Sequence, residues 1–256
     1  MPARVSEAFV IQTYPLQESD LIVSFLTRDF GKVRGVAKRA RRPKSSFGAG
    51  LERLSRIRIS YFQKENRELA SLDSCDLIQS QFKLVGDYQT SVVLDFLAEI
   101  SEQVLPPAEP NEKFFRLLVA VVEHLRAPSA GRVWLVATYF AIWSLRLCGM
   151  LPDLHVCLEC GSWLDDPEAP SRAFFQRNRE GLLCPQCSRD TGLGRGPELS
   201  LTSRAIAARM LKEPITNFDD IEWTRATAQD LRRFLVQQIE THIDRRLKTA
   251  PVLESA

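Results

Sequence analysis

The chain has 256 residues, with 34 Lys and Arg against 32 Asp and Glu for a net charge of +2, and a 45% hydrophobic share without low-complexity tracts or repeats. Such a chain forms one large or two smaller folded domains, which excludes a disordered or fibrous protein. The N-terminus lacks the unbroken apolar core of a signal peptide, and the most apolar stretch, Val133 to Leu145, is shorter than the roughly 20 residues of a membrane span. A soluble, cytoplasmic protein is expected, and six cysteines in such a reducing compartment favour metal binding over disulfides.

The first eighty residues carry the period of strands. Val5, Glu7, Phe9 and Ile11 alternate with Ser6, Ala8, Val10 and Gln12. Ser19 to Thr27 places Leu21, Val23 and Phe25 on one side, and Gly31 to Ala37 is a third short run. In Leu51 to Phe62, Ile57, Ile59 and Tyr61 point one way and Arg56, Arg58 and Ser60 the other; Glu68 to Ile78 gives a fifth run. Turn signals separate these runs at Tyr14-Pro15, Asp29-Phe30-Gly31 and Pro43 to Gly50. Five short strands in this length predict a small closed or nearly closed barrel, of which the OB-fold is a common case.

The loop between the third and fourth runs holds the densest charge of the chain. From Gly31 to Lys44 there are seven basic residues (Lys32, Arg34, Lys38, Arg39, Arg41, Arg42 and Lys44) and no acidic one, so the rest of the chain carries −5. Crowded like charges repel and persist where a polyanion offsets the repulsion, which points to a nucleic-acid backbone; the plainer alternative is a solvated loop. Arg34, Lys38, Arg39, Arg41, Arg42 and Lys44, with Arg56 and Arg58 from the fourth strand, are the candidate backbone contacts. Phe47 is either a base-stacking platform or a plug that anchors the loop on the barrel.

From about residue 81 the period becomes helical. Tyr88 to Val104 places Val92, Val93, Phe96, Leu97, Ile100 and Val104 on one face, and Pro106-Pro107 follows its end. Asn111 is an N-cap for a helix bearing Phe114, Phe115, Leu118, Val121, Val122 and Leu125. Residues 132–148 are apolar nearly all round, as in the central helix of a bundle. Residues 86–130 hold seven acidic against three basic side chains, a face that should repel DNA. Two further helices are expected at Thr202 to Lys212 and Thr224 to Lys248, the latter striped by Leu231, Leu235, Ile239, Ile243 and Leu247 with Arg232, Arg233, Arg245 and Arg246 off the stripe as solvated surface.

Between these helices lies an irregular insert with Cys157-x2-Cys160 and Cys184-x2-Cys187, separated by 23 residues. Two such knuckles build a tetrahedron of thiolates around one structural Zn²⁺ with no open position; the separation slightly exceeds the usual spacing of roughly fifteen to twenty. His155 is an alternative fourth ligand, while Cys75 and Cys148 read as buried hydrophobes. Gly192, Gly194 and Gly196 read as a flexible exit from the insert. No phosphate-binding loop and no metalloprotease or deaminase motif is present, and the three histidines lack a nucleophile partner. The pairs Asp165-Asp166 and Asp219-Asp220 are better read as loop or capping residues than as nuclease metal ligands.

In their order these parts resemble the RecO family of bacterial DNA repair proteins. The resemblance is carried by ESDLIVSFLTRDFGKVRGVAKRARRPKSSFG, ELASLDSCDLI, LCGMLPDLHVCLECG, GLLCPQC and the closing Arg245 to Lys248; the linker around Glu109 and the tail after Thr249 match nothing. It implies an α+β multidomain protein: an N-terminal OB-fold β-barrel (1–80) that binds nucleic acid, and an all-α helical domain (81–256) with an inserted four-cysteine zinc module (153–197). It also implies a non-enzymatic recombination mediator that binds single- and double-stranded DNA, anneals complementary strands, and with RecR helps load RecA onto strands coated by single-stranded DNA-binding protein (SSB), met through the SSB C-terminal tail. The competing readings are a metal-dependent DNA-processing enzyme and an RNA-binding OB protein.

Overall fold

The computed structural model describes residues 3–64, 67–127, 131–166, 171–177, 179–190 and 196–256. Gly192 and Gly194, two of the three glycines read as an exit from the insert, lie outside the described residues. The chain packs as two compact units, residues 1–119 with 255–256, and residues 120–254.

The first unit is built on five strands: β1 (Arg4–Leu16), β2 (Asp20–Thr27), β3 (Gly31–Ala37), β4 (Arg56–Phe62) and β5 (Ala70–Gln79). They close in the order β1-β2-β3-β5-β4, the OB-like barrel that the alternation predicts. Val23 and Phe25 of β2 and Ile57, Ile59 and Tyr61 of β4 point inward as predicted, and from β1 it is the set with Ala8 and Val10 that joins them in one buried cluster. β1 is longer than its sequence period suggests and is buried on both faces, because Phe9 leaves the barrel to pack on Phe115 at 5.1 Å between ring centroids. Closure is narrow. β3 pairs with β5 in parallel at only two positions, Gly35 with Ala70 and Val36 with Ser71. Gly35 suits this close approach, since a Cβ would lie 3.0 Å from the Leu72 side chain and 3.2 Å from the Ala70 carbonyl oxygen.

The fourth strand starts later than Leu51. Residues 48–51 form a short 3-10 turn, and Leu54 N–H donates to the Val10 carbonyl at 2.7 Å, so the chain turns before entering the barrel. After β5 come α1 (Phe82–Val85), which the sequence period misses, and α2 (Tyr88–Val104), whose bounds match the reading. Asp87 caps α2 by accepting from Thr90 N–H at 2.8 Å. Polar contacts tie α2 to the barrel: Glu102 accepts from Ser24 Oγ at 2.5 Å, and Arg53 pairs with Asp95. Asn111 caps α3 (Glu112–Arg126) as expected, its side chain accepting from Phe114 N–H at 2.9 Å. The division between the two units falls within α3.

In the second unit α4 (Arg132–Leu147) is the central helix, with twelve of its sixteen residues buried. The insert contributes β6 (Ala173–Phe174), α5 (Pro185–Asp190) and β7 (Glu198–Leu199), β6 pairing with β7. It is followed by α6 (Leu201–Met210), α7 (Gln229–Ile243) and α8 (Thr249–Ser255). The expected helix from Thr224 to Lys248 is therefore cut at both ends. Arg232 draws the carbonyls of Arg225 and Thr227 to its guanidinium, which holds 224–228 out of helical form. Asp244 takes a left-handed backbone (φ 50°), while the Glu240 carboxylate accepts from Leu247 N–H at 2.9 Å and closes the last turn. Leu231, Leu235 and Ile239 are buried as the stripe predicts, and Leu247 is buried although it lies beyond the helix.

Arg232 corrects the expectation of a solvated surface. Its side chain is 3% exposed, pairs with Glu254 at 3.2 Å and lies 4.9 Å over the Trp134 ring. Burial lowers its pKa from the ordinary arginine value, and the Glu254 carboxylate opposes that.

Candidate nucleic-acid interface and metal centre

The basic run leaves the barrel at the end of β3 and is held by tight turns. Arg39 N–H donates to the Asp20 carboxylate at 2.7 Å, and Arg41 N–H to the Ser19 carbonyl at 3.0 Å, which fastens the loop to the β1–β2 turn. Arg42 N–H reaches the Arg39 carbonyl at 3.1 Å and Ser45 N–H the Arg42 carbonyl at 3.0 Å. Arg39 itself has a left-handed backbone (φ 56°). The side chains of Lys38, Arg39, Arg41, Arg42 and Lys44 are all exposed. Among the described residues none of these five forms an ion pair with a carboxylate. Arg41 makes only a 3.4 Å contact from its guanidinium to the Glu18 carbonyl. Arg34 is exposed on β3, the strand that feeds the loop, with its guanidinium 5.2 Å over the Tyr14 ring.

The other three candidates differ. Phe47 is 5% exposed and belongs to the barrel core, so it is the plug and is not open to a base. Its burial follows from the loop's return path, where Gly50 N–H bonds the Phe47 carbonyl at 3.0 Å. Arg56 is paired with Glu7, both side chains being less than a third exposed. Arg58 is exposed, yet the register sets it opposite Glu7 on one side and Asp76 on the other. Lys32, counted in the basic run, is buried: its ammonium donates to the Glu102 carbonyl at 2.5 Å, and burial lowers its pKa despite the Glu102 charge.

In the second unit the four predicted cysteines converge. The Sγ atoms of Cys157, Cys160, Cys184 and Cys187 all lie within 4.8 Å of one another, with Cys160 and Cys184 3.9 Å apart. A tetrahedron with metal–sulfur bonds of about 2.3 Å has its sulfurs about 3.8 Å apart, so the group fits one metal ion. The first knuckle turns at Gly161 (φ 69°), whose N–H bonds the Cys157 carbonyl at 2.9 Å. The second is the start of α5, with Pro185 at its first position, where it gives up no needed donor. Backbone N–H groups point at the sulfurs, Cys184 N to Cys157 Sγ at 3.3 Å and Cys187 N to Cys184 Sγ at 3.4 Å, and so favour thiolates. Hydrogen bonding to Ser162 lowers the Cys160 thiol to about 6, while the neighbouring sulfurs push Cys187 up.

His155 does not join the cluster. It pairs with Asp165 and stacks on Trp163 at 5.6 Å between centroids. Asp165 in turn holds Arg204, whose buried guanidinium also donates to the Ser171 carbonyl at 2.7 Å. Asp220 accepts from Arg209 with both oxygens, at 3.0 and 2.8 Å. Sequence reading misses the His155–Asp165–Arg204 chain because its members lie far apart along the chain, and no spacing rule links them. Cys75 and Cys148 are half-buried, and burial raises the Cys75 thiol to about 11.

These parts define a class: an OB-like barrel with an exposed cationic loop, followed by helices that carry a four-cysteine centre. Family models described as recombination protein O N terminal and recombination protein O C terminal match residues 1–81 and 85–251. The chain belongs to the RecO family of DNA repair proteins. It is 43% identical to the DNA repair protein RecO of Koribacter versatilis (strain Ellin345), over 97% of each chain. The RecO of Geobacter metallireducens (strain ATCC 53774 / DSM 7210 / GS-15) is 32% identical over 81% of this chain and 82% of that protein. That of Symbiobacterium thermophilum (strain DSM 24528 / JCM 14929 / IAM 14863 / T) is 29% identical over 97% and 96%. Among the described residues no helix is long and apolar enough to cross a membrane.

Proposed function

We propose that this chain is a cytoplasmic DNA-binding mediator of recombinational repair that works without chemistry of its own. In this reading the barrel domain (1–80) binds single- and double-stranded DNA, and the helical domain (81–256) carries the zinc module (153–197) and meets protein partners. The observation that carries it is the exposed array of Lys38, Arg39, Arg41, Arg42 and Lys44, ordered by backbone contacts and, among the described residues, paired with no carboxylate. Arg34 extends it onto β3; Arg58 is a weaker contributor, while Arg56 and Phe47 are committed elsewhere.

Phosphate contacts of this kind carry no sequence information, so binding is sequence-tolerant and falls steeply with salt. Annealing follows from the same charges: two phosphate backbones repel, and a cationic surface that screens both raises their encounter rate. The four cysteines would hold one Zn²⁺, whose shell they fill, leaving it to stabilise the fold. The arginine partners of Asp165 and Asp220 weigh against a nuclease built on those carboxylates. Family membership supports the remaining assignments: action with RecR, loading of RecA, and contact with the C-terminal tail of SSB. The test is annealing of complementary oligonucleotides with SSB present. Acceleration with full-length SSB that disappears when SSB lacks its tail is expected; no acceleration on bare or coated strands overturns the reading.

A further inference from the structure

At the foot of the barrel β3 and β5 part company, since they pair only at Gly35–Ala70 and Val36–Ser71. Residues 105–110 cover part of the opening: Ala108 N–H donates to the Lys32 carbonyl at 2.8 Å, and the Glu109 backbone lies so near Gly31 that a Cβ there would be 2.1 Å from its carbonyl oxygen. What remains is a cavity of about 590 Å³ between β3, the β4–β5 connection and this segment. That volume is ordinary for a small-ligand site.

We propose that this cavity receives one base of a DNA strand held by the basic loop, and that it favours bases carrying an exocyclic amino group. The proposal rests on the nucleic-acid reading above and adds to it a defined contact and a base preference. Apolar walls come from Phe30, Val33 and Leu69. Planar cations stand beside them, Arg4 with its guanidinium 5.1 Å over the Phe30 ring and Arg34 over Tyr14. Stacked guanidinium and aromatic planes are what an unpaired base packs against, and the same charges suit its flanking phosphates.

Two features choose a base over an amphipathic acidic peptide. Glu68 is exposed on the cavity lining, where its carboxylate repels other carboxylates but accepts from the amino group of cytosine or adenine. The cavity is also continuous with the cationic array. Arg34 lines it, and β3 runs on from there to Lys38, about 13 Å at roughly 3.3 Å per residue, a span of a few nucleotides.

The experiment is a fluorescence-anisotropy titration of full-length protein with dC and dT 15-mers across a salt series. Wild type is expected to bind dC roughly three- to tenfold more tightly than dT, the range one net hydrogen bond supplies. Glu68→Ala, at an exposed position, should remove the preference, and Ala108→Trp should remove it by filling the cavity. Both variants should keep the wild-type salt slope, and Arg39→Glu should lower that slope while keeping the preference. Equal affinities in wild type, or a preference that survives both variants, overturns the proposal and leaves DNA binding standing wherever the slope persists. Loss of salt-dependent binding altogether would instead sink the DNA-binding reading itself, and this proposal with it. An acidic peptide that binds wild type but not Ala108→Trp, with dC and dT equal, makes the cavity a peptide site and overturns it too.

Discussion

In the barrel unit Arg39, Arg41 and Arg42 stand in solvent on a loop whose backbone is fastened by Asp20 and Ser19. In the second unit Arg204 and Arg232 are buried: Arg204 meets Asp165 and the Ser171 carbonyl, and Arg232 meets Glu254 and the carbonyls of Arg225 and Thr227. The residue type is the same and always charged, so the difference lies wholly in its surroundings. A buried guanidinium costs several kcal/mol to desolvate and is tolerated when a carboxylate pairs with it, which makes it part of the architecture. An unpaired exposed one adds repulsion to its neighbours and nothing to the fold, so its use must lie outside the molecule.

The contrast can be broken or sharpened by experiment. The largest effect is expected at the four-cysteine cluster of the second unit. Native mass spectrometry should show one bound ion; Cys157→Ser should lose it and unfold the insert, because structural zinc contributes on the order of 10 kcal/mol. Next is Arg232→Ala, which strands Glu254 and the carbonyls of Arg225 and Thr227 and should cost about 3 to 5 kcal/mol by chemical denaturation, with DNA affinity unchanged per folded molecule. Triple reversal of Arg39, Arg41 and Arg42 to Glu should do the opposite: no loss of stability, but a log K against log salt line shallower by ~2 units, at roughly 0.7 per single-strand phosphate. A stability loss from the loop or a slope change from Arg232 would erase the distinction.

The smallest effect concerns pH. His124 is buried, and desolvation lowers its pKa below 6.5 against the opposing charge of Asp219. Between the folded and unfolded values the unfolded chain binds the extra proton, so stability is complete above pH 6.5 and falls as pH drops toward the folded value. His124→Gln should flatten that part of the stability curve, measured by urea midpoints between pH 5 and pH 8, relative to wild type.

Much of this was legible in the sequence, for identifiable reasons. Period-2 alternation in Ile57, Ile59 and Tyr61 found the barrel's inner face, and the cap Asn111 bounds its helix as composition predicts. The cysteine spacing marked the four sulfurs that the fold brings together. What stayed hidden depends on partners distant along the chain. The stripe through Leu247 looks helical until the Glu240 side chain closes α7 early. Arg56 looks free until β1 delivers Glu7 beside it, and Phe47 reads equally as platform or plug until the loop folds back. Local pattern records which face a residue takes within its element; it does not record what the next element brings.

The seating of Phe47 in the barrel core has a kinetic and entropic corollary. Because one end of the loop is sunk in the hydrophobic interior and the other hangs on Asp20, the arrangement of positive groups is settled when the barrel folds. A strand that arrives finds the loop backbone already held, so its binding free energy goes to ordering side chains and not the main chain.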